Sequence, residues 1–201
     1  SAAYTYTESA SILTSESDHC HSTGISSRSD TSLQFNGNEV DSNQSFTMAL
    51  SIQVPASQLV SDLTDRTIFF FGTSGEIVLR NGQVAYKQSS YSYHSASLVA
   101  NTPIDIIISR DGSTGELYLS VNGTRELVSG HTNVTGLMNG SFFSNAFTNY
   151  LSGYLEGVAL WDRVLTKNEM SDHFRVRRNL PIGAAFDTLL AFADLTDGFE
   201  Y

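Results

Sequence analysis

Apolar and polar residues alternate with a period of two along most of the chain after Leu33. Phe46, Met48, Leu50, Ile52 and Val54 alternate with Thr47, Ala49, Ser51 and Gln53, which predicts a strand half-buried against a core. Leu117, Leu119 and Val121 alternate with Glu116, Tyr118 and Ser120 in the same way. Further strands are predicted over residues 67–71, 76–79, 83–86, 96–99, 104–109, 124–128, 141–147 and 153–161. Asn81-Gly82 and Asn122-Gly123 predict two-residue hairpin turns, because Asn and Gly accept the positive φ those turns require. Many short strands without intervening helices predict a β-sandwich.

One segment breaks the alternation. Thr166-Lys167-Asn168-Glu169 has the spacing of a capping box, in which the Thr166 hydroxyl and the Glu169 carboxylate satisfy free backbone donors reciprocally. Met170, His173 and Phe174 then form a narrow apolar stripe, so a short helix is expected. Five of the eleven Lys and Arg residues fall between Arg163 and Arg178. Arg175, Arg177 and Arg178 suit the negative end of that helix, or alternatively form a docking patch for an acidic partner.

The two ends differ in character. Residues 1–32 hold fifteen Ser or Thr and few large aliphatics, too little apolar area to offset ordering, so an arm or long surface loop is expected there. The single domain is then expected over residues 33–201. Beyond Pro181, Leu189, Leu190, Phe192 and Leu195 predict a closing strand sewn into a sheet. Ser1 fits either a trimmed initiator Met or a cleaved or cloned fragment, and the first thirty residues carry no apolar core of a secretory signal.

Composition narrows the function classes. Lys and Arg number 11 against 21 Asp and Glu, a formal charge of −10, which repels phosphate backbones and argues against nucleic-acid binding. No apolar run approaches the roughly 20 residues that span a bilayer. A lone cysteine, Cys20, permits no intrachain disulfide, and Asp18-His19-Cys20-His21 has no second ligand cluster to meet, so it reads as a polar loop. Four Asn-x-Ser/Thr sequons, at Asn43, Asn122, Asn133 and Asn139, are about what so Ser/Thr-rich a chain holds by chance.

The stretch from Gly153 through Trp161, Asp162, Arg163, Leu165 and Thr166 to Glu169 resembles the closing motif of laminin-G-like domains of the concanavalin A-like lectin/glucanase superfamily. Residues 33–37 followed by Phe46-Thr47 look like that family's opening strand pair. Residues 104–110, Asp111-Gly112 and 117–123 look like its central strands and hairpin. The resemblance implies an all-β, two-sheet antiparallel jelly-roll with one short helix near the C-terminus. Residues 189–198 look like the family's opening strand at the opposite end of the chain, as a permuted closure or a following repeat would place it. Many members hold calcium at a rim loop; here Asn38, Glu39, Asp41 and Asn43 offer hard oxygens, either for such an ion or as a solvated turn.

Catalysis is not expected. The glucanases of the superfamily place two carboxylates on one strand, about 5–5.5 Å apart for a retaining mechanism. No such run exists here, and Glu156 and Asp162 would lie about 20 Å apart along a strand. No nucleophile elbow, phosphate loop or dinucleotide fingerprint occurs. Two aromatic-bearing loops offer binding instead, one with Tyr91, Tyr93 and His94, the other with Asn149 and Tyr150. Such side chains suit the C–H faces and hydroxyls of sugars, or else pack at the core's edge. The expectation is a binding module for a glycan or glycoprotein, outside the cell or on a virion, in an adhesin or phage attachment protein. The alternative is a structural virion protein, a capsid decoration or fibre subunit that uses the sandwich as an assembly tile beside neighbouring subunits. Either is compatible with a homo-oligomer.

Overall fold

The structure is a computed structural model. It describes residues 7–8, 13–15, 20–21, 24–27, 33–41, 45–71, 75–128, 137–145, 148–169 and 189–194, with side chains over 45–71, 75–128, 140–145, 148–155 and 158–169. Sixteen strands occur among them: β1 (Thr7–Glu8), β2 (Leu13–Ser15), β3 (Cys20–His21), β4 (Gly24–Ser27), β5 (Leu33–Asp41), β6 (Phe46–Gln53), β7 (Arg66–Phe70), β8 (Glu76–Arg80), β9 (Gln83–Lys87), β10 (Tyr91–Tyr93), β11 (Ile104–Arg110), β12 (Leu117–Val121), β13 (Thr124–Leu127), β14 (Leu137–Phe142), β15 (Gly153–Trp161) and β16 (Leu189–Asp194). They form two sheets. Sheet I runs β1-β16-β15-β6-β11-β12-β13, with β4 also beside β15 and β3 beside β4; sheet II runs β10-β9-β8-β7-β14-β5-β2. Every pairing is antiparallel except β1 with β16.

The alternation read from the sequence fills the space between the sheets. Phe46, Met48, Leu50 and Ile52 of β6 meet Ile68, Phe69, Ile77, Leu79, Val84 and Tyr86 of sheet II in one core. Phe69 stands edge-on to Phe71 at 4.7 Å and tilts against Phe142 at 4.8 Å. A register shift between Thr67 and Phe69 lets Ile68 and Phe69, neighbours in sequence, both enter this core. Both Asn-Gly pairs form the expected hairpins, with φ of 53° and 69° at Asn81-Gly82 and 49° and 87° at Asn122-Gly123.

Several expectations need correction. β6 is buried on both faces rather than one, since Thr47, Ala49 and Ser51 are as inaccessible as the core residues. The cover at one end is the turn after β15. The Thr47 hydroxyl donates to the Arg163 carbonyl at 2.8 Å and accepts from the Leu165 amide at 3.1 Å, folding Leu165 onto this outer face beside buried Trp161. Residues 96–99 are not a strand. The Ser95 and Ala96 amides bond to Glu126 and to the His94 ring, which removes them from any ladder. β14 ends at Phe142 because Phe143 takes a φ of 65°, which a strand cannot accommodate.

The N-terminal stretch also differs from expectation. Where an arm was expected, β1 pairs with β16, β2 with β5, and β4 with β15, so short strands from this stretch enter both sheets. Cys20 and His21 lie on β3, paired with Ile25 and Gly24, rather than in a loop. Asn38, Glu39 and Asp41 lie on β5 instead of a loop; Asn43 is outside the described residues. β5 and β6, read as a pair, belong to opposite sheets. The expected closing strand is β16, hydrogen-bonded between β15 and β1.

The capping box forms as its spacing predicts. The Thr166 amide donates to Glu169 Oε1 at 3.0 Å, and the Glu169 amide donates to the Thr166 hydroxyl at 3.2 Å. Arg163 clamps the same carboxylate with both terminal guanidinium nitrogens, one of them at 2.8 Å. The predicted apolar stripe at Met170, His173 and Phe174 lies outside the described residues. Among the described residues no helix is long and apolar enough to cross a membrane.

Candidate functional site

Tyr91 and Tyr93, expected in a loop, stand instead on β10, because residues 91–93 pair with β9, and strand alternation puts both on the outer face of sheet II at its edge. Their rings stack with centroids 5.9 Å apart and planes at 25°. Arg80, two strands away, lies 4.4 Å over the Tyr91 ring and donates from Nε to the Tyr93 hydroxyl at 3.0 Å. Tyr93 remains 40% exposed, and Leu63, whose carbonyl accepts from Arg80, is 70% exposed. The result is an aromatic platform of two stacked rings, with Arg80 over Tyr91 and Tyr93 open to solvent.

What holds the platform is Asp65, in the connection from β6 to β7. Its carboxylate, 10% exposed, accepts from Lys87 at 2.6 Å, from the Tyr91 hydroxyl at 2.8 Å and from Arg80 at 2.9 Å. Burial alone would raise the Asp65 pKa, but the Lys87 ammonium, the Tyr91 hydroxyl and the Arg80 guanidinium outweigh it and hold the carboxyl below its usual range. Lys87 also reaches Glu76 at 3.3 Å, whose carboxylate accepts from the Thr67 hydroxyl at 2.9 Å and from the Asn145 amide at 3.3 Å. Two anions and two cations therefore close on one another, and the connection carrying Asp65 is pinned across β8 and β9. Lys87 brings both carboxylates near a single ammonium. Each carboxylate is committed to a cation, and the partners of Asp65 hold it ionised.

The other residues singled out from the sequence stand elsewhere. His94 is 2% exposed and faces inward. Its Nδ1 accepts from the Ala96 amide at 3.0 Å, so its Nε2 carries the proton and donates to the Thr124 carbonyl at 2.8 Å, tying the edge of sheet II to β13 of sheet I. It is a clasp between sheets, and not part of the platform. Asn149, with a φ of 52°, accepts from the Thr67 amide at 2.8 Å through its carbonyl. Thr67, Val78, Ala85 and Tyr93 lie in one transverse row, so at about 4.8 Å per strand Asn149 and half-buried Tyr150 are roughly 15 Å or more from Tyr93. Arg175, Arg177 and Arg178 lie outside the described residues. Among the described residues no group of three His, Cys, Asp or Glu side chains converges as a metal site would require.

Sequence reasoning missed Asp65, Arg80 and Lys87. Asp65 lies 26 positions before Tyr91, and only the turn of the connection back over the sheet joins them. Missed too was a cleft of about 360 Å³ at the end of sheet I, lined by Gln53, Val54, Pro55, Asn101, Ser152, Gly153 and Tyr154. Among the described residues that line it none is charged.

No protein-family model matches the chain, and a search of curated proteins finds no match. Solved structures share its fold at low identity. Tailspike protein 2 of an Escherichia coli O157:H7 bacteriophage aligns with a TM-score of 0.66 at 16% identity, over 97% of this chain and 31% of the tailspike. The chain thus spans less than a third of that protein. Domain 4 of AbnA, a GH43 extracellular arabinanase from Geobacillus stearothermophilus solved with arabinotriose, gives a TM-score of 0.58 at 15% identity, over 80% of this chain and 86% of that one. The receptor-binding domain of botulinum neurotoxin mosaic serotype C/D gives 0.60 at 13% identity, over 81% and 45%. The protein is an all-β sandwich of this architecture.

Proposed function

We propose that this chain is a non-catalytic binding module that recognises a glycan or glycoprotein through the Tyr91–Tyr93 platform, on a cell surface or a virion. The observation that carries the reading is the stacked tyrosine pair with Tyr93 exposed, held on its strand by Arg80 and Asp65 before any ligand arrives. Flat rings with hydroxyl tips suit the C–H faces and hydroxyls of a sugar, and a platform already ordered loses little entropy on binding. Within this reading the chain is a laminin-G-like member of the concanavalin A-like sandwiches. Support comes from the closing motif at 161–166, whose Trp161 and Leu165 are buried, and from the arabinanase domain, whose fold this chain shares. The attachment setting draws support from the likeness to a phage tailspike over 97% of the chain.

A glycan array followed by titration of the best binders tests the reading. Tyr93→Ala is expected to lower affinity about tenfold, because the exposed ring supplies the contact face. Its fold should be intact, since Tyr93 is an edge residue. Absence of binding across the array, or equal affinity of Tyr93→Ala and the parent chain, refutes it.

A further inference from the structure

We propose that His94 is a positioning residue for Tyr93 and a pH-responsive latch on that end of the platform, closed while its imidazole is neutral and released when Nδ1 takes up a proton. What the latch controls rests on the reading above. The latch itself rests on separate contacts.

β10 ends at Tyr93, and the residue after it turns inward. The His94 amide donates to the Val84 carbonyl at 2.8 Å, and the Gln83 carboxamide donates to the His94 carbonyl at 3.3 Å, so the backbone beyond Tyr93 stays tied to β9. The buried ring then reaches in two directions. Nε2 donates to the Thr124 carbonyl of β13, and Nδ1 accepts from the Ala96 amide. The second bond folds the chain back on its own side chain, and Ala96 and Leu98 pack against the core. Glu126 of β13 adds another tie, accepting from the Ser95 hydroxyl and, at 3.2 Å, from the Ser95 amide. His94 and Glu126 thus close the side of the sandwich where β10 and β13 are the edges of their sheets. Tyr93 is held from outside by Arg80 on its hydroxyl, and from inside by the residue that follows it.

An imidazole accepts at Nδ1 only while it is neutral. With a proton on both nitrogens, the Nδ1–H would face the Ala96 N–H, two donors without an acceptor in a place closed to water. That leaves a buried donor unpaired, so the ring must turn or residues 95–96 must withdraw. The Nε2 half of the clasp is favoured instead, because Glu126 Oε1 lies 3.9 Å from that nitrogen. Hydrogen bonds from the Ser95 hydroxyl and amide, with His94 nearby, outweigh slight burial and hold the Glu126 carboxyl below its usual range. Glu126 is therefore an anion where an imidazole ordinarily charges. Among the described residues the other charges of the packed strands face away. Glu76 and Arg80 of β8 and Lys87 of β9 stand on the outer face of sheet II, Arg125 of β13 lies over Tyr118 on the outer face of sheet I, and β12 carries none. One neighbour favours the charged ring and another the neutral ring, and the two states differ in whether residues 95–96 are held. That opposition distinguishes a latch from a plain brace.

The test is residue-resolved NMR of the full chain without ligand, following backbone amides and imidazole nitrogens from about pH 8 to about pH 5. Glu126→Gln and His94→Gln are measured alongside. Expected at the upper end is the Nε2–H tautomer of His94, with the Ala96 amide protected from hydrogen exchange. As the ring charges, the Ser95, Ala96 and Tyr93 resonances should move together and Ala96 should lose about tenfold in protection. Glu126→Gln removes the anion that favours the charged ring, so the same movement should come about half a pH unit or more lower. His94→Gln should abolish it, and if that variant does not fold, Glu126→Gln still decides. Resonances of Ala96 and Tyr93 that stay still across the range overturn the latch, as does an Nδ1–H tautomer at the upper end. Movement at Ala96 without Tyr93 overturns its link to the platform, and movement unaltered in Glu126→Gln assigns it to another group. With no ligand present, an empty glycan array refutes the binding reading alone, and a failed latch leaves that reading standing.

Discussion

The outer faces of the two sheets are built on opposite principles. On sheet I the outer face of β6 carries Thr47, Ala49 and Ser51, small and uncharged, with buried Trp161 of β15 beside Thr47, and the turn carrying Leu165 lies over that end. On sheet II the outer face of β8 to β10 carries Glu76, Arg80, Lys87, Tyr91 and Tyr93, tied by Asp65 and open to solvent at Tyr93. The Thr47 end of the first is closed by packing and two hydroxyl hydrogen bonds; the second buries Val78 and Ala85 too, but at its β10 edge it is organised by charge and leaves Tyr93 accessible. The difference separates roles. Substitutions on the closed face should act on stability, and those on the charged face should act on the order of the binding surface.

The sharpest way to break that separation is Trp161→Ala. Removing a fully buried indole should cost about 3–5 kcal/mol in urea unfolding, while the fraction that remains folded keeps the parent's affinity for platform ligands. An affinity loss in the folded fraction would mean that the faces are coupled. Next in size is Asp65→Asn, which leaves Arg80 and Lys87 short of an anion. A destabilisation of about 1–3 kcal/mol is expected, together with weaker glycan binding, because Tyr91 exchanges a charged acceptor for a neutral one and the Arg80 and Lys87 charges lose their partner. If stability falls and binding does not, Asp65 is only a brace.

The smallest effect concerns acid. Arg163 beside Glu169, against some opposing burial, brings that carboxyl down to about 2 from 4.5. A depressed folded pKa stabilises the protein above the unfolded value, and that contribution is lost as the pH falls from about 4.5 through about 2. For an ion pair still partly open to water the loss should be about 1 kcal/mol, visible as a lower thermal midpoint. Glu169→Gln should be less stable near neutrality and should lack this part of the acid dependence. A parent-like acid slope in Glu169→Gln would place the dependence elsewhere, with Asp65 next to examine, since its carboxyl is also held low.

Legibility in the sequence followed the range of the physics. β12 and β15 have the predicted bounds, because alternation and a hairpin or Gly start are local signals. The capping box was readable because its two hydrogen bonds join residues three apart. Residues 96–99 misled for a related reason. Ala96 and Leu98 do pack against the core, so the alternation is real, but side chains at 94 and 126 take the amides a ladder would use. His94 looked like a third platform residue by adjacency, and strand alternation turned it inward.

The chain by itself determined a sandwich of short strands, its two Asn-Gly hairpins and the capping box at Thr166, whereas Tyr91 and Tyr93 read as a loop and stand on a strand. The first three depend on period, φ preference and spacing, which neighbours in sequence carry between them. Only the tertiary structure decided which outer face is closed, that Asp65 reaches across to Tyr91, and that Gln53, Asn101 and Tyr154 wall one cleft. Those are contacts between segments tens of residues apart, decided by how the connections cross the sheets, and no local pattern encodes such a crossing.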